Sequence, residues 1–83
     1  MLESELAWYL ADECRDLFTA EDRTQIFVLI GAEDFREAIV CMLDACARQR
    51  MFLPGEVGTK LAEWLRVYDL DHRFLSAVAR VTE

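Results

Sequence analysis

The sequence has very few residues that interrupt helices: one proline and three glycines occur among its 83 residues. Apolar residues make up 54% of the chain, which argues against a disordered or loop-rich protein. The length fits one domain, residues 1–83, and leaves no room for a catalytic domain beside a regulatory one. We therefore expect one folded unit with a modest core.

Long apolar runs and a leader segment are also lacking. No run approaches the ~18 residues that a membrane span requires, and no charged-then-apolar segment opens the chain. Cys14, Cys41 and Cys46 are an odd number without a CxxC motif, whereas a small secreted domain normally carries an even number. These absences predict a cytoplasmic protein without membrane contact, whose thiols are reduced and mostly buried.

Residues that carry chemistry are sparse. His72 is the only histidine, and a zinc site would have to join it to cysteines scattered over three predicted helices. Cys41 and Cys46 point about 140° apart if both lie on one helix. We therefore predict no metal, no cofactor and no catalytic residue. A thiol enzyme that uses Cys14 or Cys46 remains an alternative.

Positive charge is scarce in the first half of the chain. Residues 1–44 carry eleven acids against three arginines, whereas residues 45–83 carry five acids against six bases, and the formal net charge is −7. Such a protein is a poor candidate for binding nucleic acid or anionic membranes, because both repel it. A basic protein partner is the natural complement. A merely soluble acidic surface explains the same charge equally well.

Helical periodicity runs through nearly the whole sequence, because apolar residues recur at spacings of three and four. Thr19 with Asp22 resembles a capping box, and Asp71 is placed to cap the last helix. The predicted helices cover residues 2–18, 20–30, 33–50, 54–68 and 72–82. Short connections between them predict an all-α, compact bundle of about five short helices.

Residues 26–30, IFVLI, are the ambiguous stretch. The β-branched Ile26, Val28 and Ile30 also suit a strand, and Gly31 could then open a phosphate-binding loop. However, no convincing partner strand exists elsewhere, and no GxGxxG or P-loop motif follows. We favour a helix that ends at Gly31 in a left-handed conformation. If these residues formed a strand, the prediction of a helical bundle would be wrong.

Two predicted helices, the second and the third, are apolar on nearly all sides. A five-helix domain of this size encloses few positions completely, so some apolar side chains should reach the surface and mark an interface or a homodimer. The candidates are Phe27, Val28, Val40, Leu43, Met51 and Phe52. Trp64 shares a face with core residues. Trp8 lies at the edge of its apolar face, where core packing and partner contact are equally open.

The acidic charge and the absence of catalytic motifs favour a small non-catalytic protein–protein interaction module. It would dock an acidic surface on a basic partner and act by steric blocking, as an inhibitor, an immunity or antitoxin factor, or a regulatory adaptor. A protein that mimics DNA is a variant of this hypothesis. The candidate contacts are Trp8, Asp12, Glu13, Asp16, Glu33, Asp34 and Glu37.

A self-assembling helical adaptor is the main alternative. Its acidic surface would meet a basic face on another copy, which gives head-to-tail homo-oligomers. The candidate basic residues are Arg48, Arg50, Arg66, Arg73 and Arg80. Death-fold adaptors are helical domains of similar size that assemble in this way, but no motif matches them and the analogy is one of size and class.

Overall fold

The computed structural model describes residues 2–82, and within that range all regular structure is helical. The α-helices are α1 (Glu3–Glu13), α2 (Ala20–Gly31), α3 (Phe35–Arg48), α4 (Gly55–Val67) and α5 (His72–Ala79), with a short 3-10 helix at Arg15–Leu17. The prediction of an all-α compact bundle is confirmed. Residues 26–30 belong to α2, so the strand alternative is wrong.

Helix α3 lies at the centre of the bundle and packs against α1, α2 and α5, while α4 packs against α5. Arg36 Nε lies 2.9 Å from Glu3 Oε2 and joins the start of α3 to the start of α1. Arg48 Nη2 lies 2.6 Å from Asp22 Oδ1 and joins the end of α3 to the start of α2. Helices α1 and α3 therefore run in the same direction, and α2 runs opposite to both.

The core follows the predicted periodicity of α3 and extends beyond it. Ala38, Ile39, Met42, Ala45 and Cys46 form its buried face, at the spacings of three and four residues that helical periodicity predicts. Val40 and Leu43 are buried as well, so these two candidates for exposure do not reach the surface. The reason is the central position of α3. Three neighbouring helices cover a wider part of its surface than the single apolar stripe of a helix that packs on one side only. The other four candidates are exposed: Phe27, Val28, Met51 and Phe52.

The predicted helix starts at Thr19 and Asp71 are confirmed. Thr19 Oγ1 accepts a hydrogen bond from the Asp22 backbone N–H, and the Asp22 carboxylate accepts one from the Thr19 N–H, each at 3.1 Å. Asp71 Oδ1 accepts from the Arg73 N–H at 3.1 Å. Each cap satisfies backbone donors that the first turn of a helix leaves unpaired, so these sequence signals are local and readable.

The end of α2 differs from the prediction. Gly31 is the last residue of the helix and its φ is not positive, whereas Glu33 has a φ of 60°. The Asp34 N–H donates to the Leu29 carbonyl (2.9 Å) and the Glu33 N–H to the Ile30 carbonyl (3.0 Å), which is a Schellman motif. Gly31 as the left-handed stop is therefore wrong, because the chain continues in helical geometry for that residue and turns two positions later.

Helices α3 and α4 end in the same way. Arg50 and Asp69 have φ values of 56° and 49°, and neither is glycine. The Met51 N–H donates to the Cys46 carbonyl at 3.1 Å, which gives the same bonding pattern at the end of α3. A left-handed conformation costs a residue with a Cβ roughly 1 kcal/mol, so each of these ends carries local strain.

Two of the predicted helices extend further than the helices in the structure. The first helix ends at Glu13 instead of residue 18, because the chain tightens into the 3-10 helix. Leu17 and Phe18 still contact the core, which is why the apolar pattern continued past the end of α1. The last helix ends at Ala79 instead of residue 82, although Val81 remains buried. An apolar pattern reports burial and does not by itself fix where helical hydrogen bonding stops.

Candidate interaction surface

Trp8 lies on the outer side of α1 with 54% of its surface exposed. Its ring contacts that of Phe27 on α2, with ring centroids 6.2 Å apart and an angle of 42° between the planes. Phe27 and the adjacent Val28 are 51% and 66% exposed. Two helices thus present an aromatic pair and an aliphatic side chain to solvent at one place.

Trp64 has the opposite environment, as its sequence pattern predicted. It is buried, and its ring packs edge-on against Phe74 with the centroids 5.9 Å apart. Its Nε1–H donates to Glu3 Oε2 at 2.8 Å, so the polar edge of the indole is satisfied. The two tryptophans therefore differ: Trp64 belongs to the core and Trp8 is available to a partner.

Three candidate acids lie together beyond Trp8, in the last turn of α1 and the 3-10 helix that follows it: Asp12, Glu13 and Asp16. We call this group the acidic end of α1. All three are exposed. Asp12 lies one turn after Trp8, on the same side of the helix. Its only ion pair among the described residues is with Arg15 at 3.8 Å, and both side chains are largely solvated, so the pair neutralises little.

The other three candidate acids lie elsewhere. Glu33 and Asp34 are exposed in the turn between α2 and α3, and Glu37 lies in the first turn of α3. The start of α3 is beside Glu3, whereas the acidic end of α1 lies nine or more residues further along that helix, roughly 14 Å away. The seven predicted contacts therefore form two groups at different ends of α1.

Glu37 is also already engaged. Its two carboxylate oxygens accept hydrogen bonds from Arg73 Nη2 at 2.8 and 2.7 Å, which ties α3 to α5. The same bond raises the pKa of Arg73. This contact joins residues 36 positions apart, so no local sequence signal could have revealed it.

The candidate basic face is largely neutralised. Arg48 pairs with Asp22 at 2.6 Å, Arg73 pairs with Glu37, and Arg80 pairs with Asp44 at 2.7 Å. The hydrogen bond from Arg48, together with those from Thr19, holds the pKa of Asp22 below its ordinary value. In the described part of the chain, the candidates without an ion pair are the exposed Arg50 and Arg66.

The cysteines are free and mostly buried, as their pattern suggested. The hydrogen bond with Cys46 and burial raise the pKa of the Cys14 thiol. Burial also raises the pKa of Cys41, and the charges of Asp22 and Asp44 add to the effect. Since the thiolate is the nucleophilic form, the environments of Cys14 and Cys41 do not activate them. The hydrogen bond with Cys14 lowers the pKa of Cys46, which is fully buried.

An open groove of about 520 Å³ between α4 and α5 was not predicted. Helix α4 contributes small residues at helical spacing, and α5 contributes mainly apolar ones. The lining includes Gly55, Gly58, Thr59 and Ala62 on α4, Leu75, Val78 and Ala79 on α5, and Thr82 just after α5. The spacing of the small residues was visible in the sequence, but their common neighbour was not.

Across residues 2–82, no helix combines the length and apolar character needed to cross a membrane. In the same part of the chain, no group of three or more His, Cys, Asp or Glu side chains is arranged to hold a metal ion. No family model, curated protein or solved structure matches the chain.

Proposed function

We propose that this protein is a non-catalytic interaction module that docks the Trp8 side of α1 on a basic protein partner. The observation that carries the proposal is the exposed contact between Trp8 and Phe27 beside the acidic end of α1. Tryptophan is enriched among residues that dominate binding energy, because its large ring gains much when a partner removes it from water.

The charge pattern supports the chemistry of this partner. Glu13 and Asp16 have no ion pair with any other described residue, and Asp12 has only the weak pair with Arg15. Glu33 and Asp34 add exposed negative charge at the other end of α1. These negative charges, although spread over two places, attract a basic partner towards the surface. Trp8 then supplies the contact that holds the partner in place. Glu37 has a smaller share in this proposal, because Arg73 already binds it.

The mode of action in this proposal is steric: the module covers a basic functional surface of its partner, as an inhibitor, an immunity or antitoxin factor, or a regulatory adaptor does. The three free cysteines support a reducing compartment, for which we propose the cytoplasm. Head-to-tail assembly through opposed charges receives less support, since Arg48, Arg73 and Arg80 are paired within the chain.

Affinity capture from the native cell tests this function with two matched variants. Trp8→Ala removes the anchor, and Val67→Ala removes a comparably exposed apolar side chain from α4. We expect a basic protein that the unchanged protein and Val67→Ala retain and Trp8→Ala loses. Equal capture by all three would contradict the proposed surface.

The kinetics of the captured pair give a second test. The combined change Glu13→Lys and Asp16→Lys should lower the association rate at least tenfold at low salt, with a smaller difference at high salt, because screening weakens steering. Circular dichroism should show unchanged helix content, since both side chains are exposed. An unchanged association rate would remove the electrostatic part of the proposal.

A further inference from the structure

The outer face of α2 is unusually free of charge. From Thr24 to Ala32 no residue is charged, although 30% of the whole chain is. Five positions form one stripe at helical spacing, and all five are exposed: Ala20, Thr24, Phe27, Val28 and Gly31. We propose that this stripe binds the same stripe of a second copy, with the two α2 helices antiparallel about a two-fold axis near Phe27 and Val28.

The packing of α2 within one copy leaves this face uncovered. Its buried residues are Asp22, Ile26 and Ile30, which recur every four residues on the opposite side and face the core. Exposed apolar side chains that lie together on an otherwise polar surface mark an interaction site. Val28 at 66% and Phe27 at 51% exposure form the centre of such a site.

The small residues of the stripe fit an antiparallel pair. Thr24 and Gly31 lie at equal distances before and after the centre of the stripe, so Thr24 of one copy faces Gly31 of the other. Gly31 has no positive φ, and a Cβ added there would meet nothing within 4 Å in its own chain. Neither the backbone nor the packing of one copy therefore requires glycine, whereas two helices at 8–10 Å separation benefit from small residues at the contact.

Charge complementarity selects a second copy as the occupant and fixes its direction. Arg23 is exposed, has no ion pair in the described part of the chain, and lies one turn before Phe27 on the side of α2 that meets Trp8. Glu5 is exposed one turn before Trp8 on α1, and because α1 runs opposite to α2, Glu5 lies towards the other end of α2. A two-fold axis places the Trp8 side of α2 in one copy beside the same side of the other copy, in the opposite direction. Arg23 of each copy therefore lies near Glu5 of the other, which gives two such contacts.

The interface is small and the dimer should be weak. Helix α2 has 12 residues, which corresponds to a length of roughly 18 Å, and one helix pair with flanking contacts stays below the standard size of a stable interface. We expect a dissociation constant on the order of 100 μM. This proposal needs no second protein and is tested without the basic partner. The dimer buries Phe27 and one edge of Trp8, so it competes with that partner for this part of the surface.

Sedimentation equilibrium of the full chain from about 10 μM to 1 mM tests the dimer. Val28→Glu should weaken association at least tenfold, and Val67→Glu, at a residue 56% exposed on α4, should leave it unchanged. Circular dichroism verifies that both variants stay folded, as expected for exposed positions. A protein that remains monomeric over the whole range, or a Val28→Glu variant that dimerises normally, overturns the proposal.

A charge exchange tests the antiparallel arrangement. Arg23→Glu and Glu5→Arg should each weaken the dimer, because each places like charges together. An equimolar mixture of the two variants should associate more strongly than either alone, since both contacts of the mixed dimer are then complementary. Glu5 Oε1 also accepts from the Leu2 N–H at 3.0 Å, so the helix content of Glu5→Arg is measured in parallel. If the mixture associates no more strongly than the separate variants, the antiparallel arrangement is overturned. If Glu5→Arg does not fold, Arg23→Glu alone provides the test, and unchanged association of that variant overturns the arrangement.

Discussion

Helices α2 and α3 follow one another in sequence, run antiparallel and are both apolar on most sides, yet only α3 is enclosed. Leu43 on α3 is 1% exposed, whereas Val28 on α2 is 66% exposed. Helix α3 is surrounded by α1, α2 and α5, while α2 packs chiefly on α3 and meets α1 through the rings of Trp8 and Phe27. The difference shows that apolar composition allows a helix to be buried on most sides. The number and position of the neighbouring helices determine how much of its apolar surface is in fact buried.

The largest expected effect separates the two helices directly. Leu43→Ala should lower the free energy of unfolding by about 2–5 kcal/mol, because it leaves a cavity in the core. Val28→Ala should change it by less than about 0.5 kcal/mol, since the side chain is mostly solvated. Urea denaturation followed by circular dichroism at about 10 μM, where the proposed dimer is dissociated, measures both. Similar losses in the two variants would show that α2 is covered in solution.

The next effect concerns the contact that joins the two helices. Asp22 caps α2 and accepts from Arg48 at the end of α3. Asp22→Ala should lower the free energy of unfolding by about 1–2 kcal/mol through the lost cap and contact. Glu21→Ala is the matched control, because that acid is its exposed neighbour and no cap bond involves it. An equal loss in the control would mean that acid charge in the first turn matters more than the specific bonds.

The same residue gives a pH dependence with a definite sign. The bonds from Arg48 and Thr19 lower the pKa of folded Asp22 from its ordinary value of 3.8. The stabilisation is therefore complete above the unfolded pKa and is lost as the pH falls through the folded one. The stability difference between the unchanged protein and Asp22→Asn should shrink over this acid range. A difference that stays constant would contradict the proposed role of the ionised carboxylate.

The sequence predicts those parts of the fold that depend on neighbours along the chain. Thr19, Asp22 and Asp71 act within three residues of themselves, so their caps were readable, and the buried face of α3 follows from its period. Contacts between distant residues were not readable: Glu37 holds Arg73 across the bundle, and Phe27 meets Trp8 on another helix. The acidic candidates were identified by charge, but their separation into two groups depends on how α1 and α3 align.

The smallest expected effects lie at the end of α2. Glu33 has a φ of 60° where glycine is favoured, and Gly31, two residues earlier, is helical where alanine is favoured. Glu33→Gly and Gly31→Ala should each raise the free energy of unfolding by about 0.5–1 kcal/mol. Gln25→Gly, at an exposed position inside α2, should lower it by a similar amount. Arg50→Gly extends the comparison to α3, which ends in the same left-handed turn. Destabilisation by Glu33→Gly would mean that its side chain contributes more than the strain it causes, because a glycine relieves that strain without altering the turn.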